Sequence, residues 1–162
     1  SGALLFVWFA FGVRVGEHGV ANGCKGEKRV GDGRGFDSSG MRPDEDHVRL
    51  AAGTEIFAGL GLAIGLLTTF SAMGFVGVML VAGYVVHRSS GFFIVSGGWE
   101  FTFILAVAAV GIAMLGPGEW SVDNALGIDA DLDGWLGLIL AAGGGIAAGA
   151  AQLAIFYRPT VK

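Results

Sequence analysis

The sequence predicts an all-α integral membrane bundle, and three observations carry that prediction. Hydrophobic residues make up 53% of the 162-residue chain and charged residues only 15%. The mean hydropathy is +0.66. The apolar residues also gather into runs of membrane-helix length rather than alternating. A water-soluble fold of this size could not cover that much apolar surface. Disorder is excluded on the same grounds, because disordered chains are poor in apolar residues.

The first apolar run, residues 3–15, falls short of the ~20 residues that span hydrocarbon. With Ser1 in place of an initiating methionine, it reads as the tail of a spanning helix cut at its start. A signal peptide is the other reading, but the basic n-region is missing. Residues 16–47 form a polar loop with seven acids between Glu17 and Asp46 and a matching supply of Lys and Arg. Its many glycines keep any regular element short. Pro43 followed by Asp44, Glu45 and Asp46 predicts the first turn of a helix, since proline suits N1 and acids suit the positive dipole end.

That helix continues as a span over 50–67. A second run, 70–86, follows the Thr68-Thr69 pair. Together the two exceed one bilayer thickness, so the chain must reverse between them. A short connection, 87–98, leads to a span at 99–115 and then to an acidic loop, 116–134. The last span, 135–157, is free of charge. Trp99, Trp120, Trp135 and Tyr157 sit near span ends, where amphipathic rings favour the interface.

Five spans place the 16–47 loop, the 87–98 connection and the C-terminus on one face. With the adjoining Arg14 and Arg49, that face carries all ten Lys and Arg residues, whereas the other carries five acids in the 116–134 loop. The positive-inside bias therefore puts the 16–47 loop and the C-terminus in the cytoplasm and the 116–134 loop outside.

Candidate chemistry is sparse. One cysteine, Cys24, cannot form an internal disulfide or a CxxC pair, and the three histidines, His18, His47 and His87, do not make a haem or iron–sulfur ligand set. The net charge of −4 and the lack of a basic patch with interleaved aromatics leave nucleic-acid binding without support. Glu55 lies inside a span, where a carboxylate is costly unless paired, protonated or facing a polar cavity. Glu55, His87, Arg88 and Glu100 fall toward one predicted face, with Arg14 and His18 near them. They read either as a proton-handling or quinone-headgroup pocket or as an Arg–Glu or Glu–backbone lock that holds the helices in register.

Gly137, Ala141, Gly145 and Gly149 recur every four residues, and Gly61 and Gly65 repeat the spacing. Small-residue stripes let backbones approach closely, within the bundle or against another subunit. Asp129, Asp131 and Asp133 with Gly134 resemble the opening of a calcium loop. The twelfth position is Leu140 where a bidentate glutamate is required, and capping by Asp133 accounts for the motif equally well. Gly31, Gly33 and Gly35 lack the strand–helix context of a phosphate loop.

From Ala52 onward the chain resembles the DoxX family of small bacterial and archaeal membrane proteins. The matching residues are Ala52-Gly53-Thr54-Glu55, Gly59, Gly61, Gly65-Leu66-Leu67-Thr68, Val78-Met79-Leu80-Val81-Ala82 and His87. They continue through Gly91-Phe92-Phe93, Gly97-Gly98-Trp99-Glu100, Gly116-Pro117-Gly118 and Ser121-Val122-Asp123. The match is strongest over 52–123. Toward the N-terminus His18-Gly19 fits the family pattern, while Asn22 stands where the family has lysine. The resemblance implies a four-helix membrane core, to which 135–157 adds a further helix, in a prokaryotic cell membrane. It also implies an association with redox systems, some relatives being subunits of quinone-linked oxidoreductases.

Two functions follow. One is a membrane subunit of an oxidoreductase system that contributes to a quinone or proton-handling site, its electrons coming from a partner or a bound organic cofactor. The other is a non-catalytic accessory subunit anchoring a larger complex through the glycine stripe. Both imply lipid and other protein subunits as partners. A small-solute transporter is weaker, for want of an inverted repeat or a pair of broken helices.

Overall fold

A computed structural model describes residues 44–128 and 132–157, with side chains from residue 53 onward. The predicted 3–15 span, nearly all of the 16–47 loop, Arg14, His18, Asp129 and Asp131 lie outside the described residues. Within them the regular elements are helices. Helix α1 is Asp44–Ile64, α2 is Thr68–Ser90, α3 is Glu100–Leu115, α4 is Val122–Leu126 and α5 is Gly134–Phe156. A turn of 3₁₀ helix, Ile94–Ser96, sits in the connection between α2 and α3. Helix α1 opens at Asp44 with three acidic residues among its first, as the charge pattern predicts.

Helices α2 and α5 are each 23 residues long and apolar enough to cross a bilayer, whereas α3 and the apolar part of α1, Gly53–Ile64, are shorter. Trp135 and Tyr157 lie near opposite ends of α5, about 33 Å apart at 1.5 Å per residue, which matches a hydrocarbon core of about 30 Å. The outward surface is apolar. Phe57 is 78% exposed, and Leu60, Phe103, Ile104, Val107, Ile139 and Ile155 are exposed beside it. In water such a surface would drive aggregation; in lipid it is the solvent-facing side. The protein is a helical membrane bundle.

Helix α2 is the central element, packed against α1, α3 and α5. Its Ala72, Phe75, Val76, Val78 and Met79 join Ala58 and Leu62 of α1, Ala109, Ile112 and Ala113 of α3, and Ala141 of α5 in one core. Close approach, not bulk, holds α5 in place. A Cβ on Gly137 would collide with the Ala113 carbonyl of α3. One on Gly145 would stand 2.6 Å from Val76 Cβ, and one on Gly149 2.9 Å from the Gly77 carbonyl oxygen of α2. The stripe on α5 is therefore covered inside this chain. Dispersion between backbones replaces the hydrophobic drive that lipid lacks.

The reversal between α1 and α2 is tighter than the sequence suggests. Helix α1 ends at Ile64, not at residue 67, and Gly65 takes a left-handed φ of +63°. Its N–H reaches the Leu62 carbonyl at 3.4 Å and the Leu66 N–H reaches the Gly61 carbonyl at 2.8 Å, a Schellman closure. Gly65 is thus a turn residue rather than part of a helical stripe with Gly61. Leu67 is also left-handed, at φ 45°, which costs a side-chain-bearing residue about 1 kcal/mol.

Asp123 holds this turn. Its Oδ1 accepts from the Leu67 N–H at 2.7 Å and its Oδ2 from the Thr68 N–H at 2.9 Å, while its own N–H donates to the Gly65 carbonyl at 2.9 Å. Asp123 is buried, 4% exposed. It sits on α4, a short helix inside the 116–134 acidic loop. Ser121 caps that helix, its Oγ accepting from the Asn124 N–H at 3.1 Å, and a Cβ on Gly65 would stand 2.5 Å from Ser121 Cβ. Thr69 Oγ1 donates to the Leu132 carbonyl at 2.7 Å, tying the start of α2 to the approach of α5. Thr68 Oγ1 is buried without a hydrogen-bond partner beside a cavity of about 10 Å³.

Two outcomes test this account. Asp123→Ala should cost about 3 kcal/mol, the loss of two charge-assisted hydrogen bonds, read as a lowered unfolding midpoint in detergent, with Asp123→Asn losing less because one oxygen acceptor remains. Gly145→Leu should prevent recovery of a monodisperse bundle. Gly143→Leu, at a position with nothing within 4 Å of the new Cβ, should leave it intact.

Candidate functional site

A groove of about 570 Å³ runs along the outside of the bundle between α2, α3 and α5. Val76, Met79, Leu80, Gly83 and Tyr84 line it from α2. Phe103, Ala106, Val107 and Val110 do so from α3, and Ala142 and Ile146 from α5. Arg88, Trp99 and Thr102 stand toward one end. Two π-helical stretches, Gly83–His87 in α2 and Ile139–Gly144 in α5, contribute Gly83, Tyr84 and Ala142 to its wall. Wide turns of this kind displace side chains from the regular helical stripe, and they recur at functional sites.

The polar end is built by aromatic packing. The Arg88 guanidinium carbon lies 4.5 Å from the centre of the Tyr84 ring, a cation–π contact. Tyr84 in turn meets the edge of Tyr157 at 5.6 Å. Trp99 packs between Phe92 at 4.7 Å and Phe103 at 5.7 Å. Thr102 Oγ1 donates to the carbonyl of Trp99, the residue before α3, at 2.8 Å, so its hydroxyl proton is satisfied there and its oxygen remains an acceptor.

The connection beneath this end is closely tied. His87 Nδ1 lies 2.7 Å from the Gly97 carbonyl oxygen. Since a carbonyl only accepts, Nδ1 carries the proton and Nε2 is left as the basic nitrogen. Glu100 Oε2 accepts from the Ile94 N–H at 2.9 Å, closing the loop onto the first turn of α3. A Cβ on Gly98 would collide with the carbonyls of Gly91 and Phe92.

The four residues singled out from the sequence do not share one pocket. Arg88 lines the groove, and His87 and Glu100 hold the connection beside it. Glu55 is buried on α1, where its neighbour Thr54 has Cγ2 3.3 Å from the place of a Cβ on Gly74. Gly74 and His87 are thirteen positions apart on α2, about 20 Å at 1.5 Å per residue. Glu55 thus lies at mid-bundle depth, and the groove lining does not include it. Asp133 occupies the N-cap position of α5 without a side-chain cap hydrogen bond; its carboxylate packs against Gly116 instead. Among the described residues no group of three His, Cys, Asp or Glu side chains is placed to hold a metal ion.

Sequence reasoning missed the groove itself and the roles of Tyr84, Thr102 and Asp123. Tyr84, one of two tyrosines in the chain, was a usable signal because a phenol inside an apolar run needs a polar exit.

Residues 30–88 match the family model of DoxX. The matched stretch is 59 of the 162 residues, and over it the chain is similar to DoxX. It covers α1 and nearly all of α2, starting earlier than the motifs noted above and stopping at Arg88. An uncharacterized protein of Haemophilus influenzae is 29% identical over 82 residues, 51% of this chain and 54% of that protein. The chain thus spans about half the length of the curated relative it matches. No solved structure matches it.

Gly98→Ala tests how the polar end is held. Expelling the Gly91 and Phe92 carbonyls should free Trp99 from Phe92, seen as a red shift of tryptophan emission with helix content by circular dichroism unchanged.

Proposed function

We propose that this DoxX-like membrane protein is a subunit of an oxidoreductase or electron-transfer system, and that the α2–α3–α5 groove takes a quinone. The groove carries this reading: it is apolar along its length, borders lipid, and ends at a guanidinium and an indole. A quinone ring placed beside Arg88 and Trp99 would find a cation for its carbonyl oxygen, with its chain along Met79, Val107 and Ile146. Reduction puts negative charge on that oxygen, and a guanidinium fixed on a tyrosine face stabilises such charge more than it stabilises the neutral ring. His87, adjacent in sequence to Arg88 with Nε2 as the basic nitrogen, is the proton group of this end. Electrons come from a partner subunit or a bound organic group. The basic residues Arg88 and those of the 16–47 loop and the C-terminus support an orientation with this end at the cytoplasmic side of a prokaryotic membrane.

The accessory-anchor reading draws on the α5 glycine stripe, the additional last helix and the lack of a redox ligand set in the sequence. The stripe is covered by α2 and α3 and lends it no support; the other two grounds stand.

A short-chain quinone titrated against the protein in lipid nanodiscs tests the site through tryptophan fluorescence. Saturable quenching is expected, with its saturable part lost in Trp99→Phe. Arg88→Gln should weaken binding about tenfold, the loss of one charge-assisted hydrogen bond, and Glu55→Gln should leave it unchanged. Quenching that never saturates, or that is identical in Trp99→Phe, overturns the proposal.

A further inference from the structure

The connection between α2 and α3 carries an apolar surface that neither the core nor the groove uses. Val95 is 95% exposed, Phe93 65% and Ile94 54%, at and just before the 3₁₀ turn of this connection. In an aqueous loop this composition would be unfavourable, and the backbone would be hydrated. Here the backbone is largely bonded to itself. The N–H groups of Ser96, Gly97, Gly98, Trp99 and Glu100 donate to carbonyls of Phe93, Ile94, Phe93, Gly91 and Phe92 respectively. The Ile94 N–H donates to the Glu100 carboxylate, and the Gly97 carbonyl is engaged by His87. Ser96 Oγ lies within hydrogen-bond reach of the carbonyls of Ser90 and Phe93.

We propose that residues 92–95 are a membrane wedge, immersed in the acyl boundary of the lipid leaflet at the mouth of the groove. Non-helical backbone is tolerated in lipid only where its polar groups are satisfied internally, and in this segment the Ile94 N–H and the carbonyls of Gly91, Phe92, Phe93, Ile94 and Gly97 are satisfied within the chain. The exposed tip is continuous with the lipid-facing side of α3, where Phe101, Phe103 and Ile104 are exposed. It lies at the level of Trp99, Tyr84 and Tyr157, rings that favour the interface. Glu100 and His87 are accordingly positioning residues. They engage the Ile94 N–H and the Gly97 carbonyl in the segment that carries the exposed Phe93 and Val95 side chains, and the wedge keeps the groove mouth within the bilayer.

The proposal rests on the bundle being in lipid, and the test separates the two. In a Cys24→Ser background, nitroxide labels are placed singly through Val95→Cys, Phe93→Cys and, as a reference on the outward face of α1, Phe57→Cys. Collision rates with oxygen and with a water-soluble nickel chelate are measured by electron paramagnetic resonance in phosphatidylcholine nanodiscs. The expected result is an oxygen-to-nickel ratio at residues 93 and 95 within about twofold of that at residue 57. A lipid-like ratio at 57 with high nickel accessibility at 93 and 95 overturns the wedge and leaves the membrane bundle standing. Low accessibility to both reagents at 93 and 95 also overturns it, because it places a protein surface there instead. A nickel-accessible label at 57 counts against the membrane placement itself. Glu100→Gln, which keeps an acceptor oxygen, should preserve the ratio at residue 95, and Glu100→Ala should raise nickel access there.

Discussion

A buried carboxylate fixes the geometry on which the bundle depends. The first N–H groups of any helix lack intrahelical partners, and at a membrane end with little water they must find them in the protein. Asp123 supplies both at once, one oxygen for Leu67 and one for Thr68. Burying the charge is costly, but two amide donors and the positive end of the α2 dipole offset that cost. The same contact holds Leu67 in a left-handed conformation it would not otherwise prefer. It also brings the segment after α3 over the α1–α2 turn, so that Thr69 can bond Leu132 just before α5 begins. The angle at which α5 enters the bundle therefore follows from a side chain on a five-residue helix.

Once the ends are fixed, side-chain size decides where the helices touch and where they part. Gly145 and Gly149 bring α5 onto Val76 and Gly77 of α2, and Gly137 brings it onto α3. Farther along, Ala106 and Ala142 are too small to fill the space between three helices that have already met elsewhere, and the groove is what remains. The aromatic residues then close one end of it, with Tyr84 carrying Arg88 and Trp99 held between Phe92 and Phe103.

The connection between α2 and α3 answers the same constraint as the Asp123 turn. At each end of the bundle an acidic side chain accepts from backbone N–H groups of a reversal, Asp123 at one and Glu100 at the other. Glu100, a candidate for chemistry in the linear sequence, thus serves the backbone, and among the described residues Tyr84 and Arg88 are the titratable groups that line the groove.

Hydropathy alone determined the class of this protein and the approximate limits of α1, α2, α3 and α5, because apolar runs of this length have few stable alternatives to a helix in lipid. The acids at Asp44–Asp46 and the interfacial aromatics were equally legible, since their preferences act within one or two helical turns. The tertiary structure decided the rest. It placed Glu55 about 20 Å along α2 from His87, because depth in a bundle depends on how two antiparallel helices are registered by their turn and not on their order in the chain. It also turned Gly65 from a packing residue into a turn residue, covered the α5 stripe from within and opened the groove. Each of these is a contact between residues distant in sequence, set by packing that no local pattern encodes.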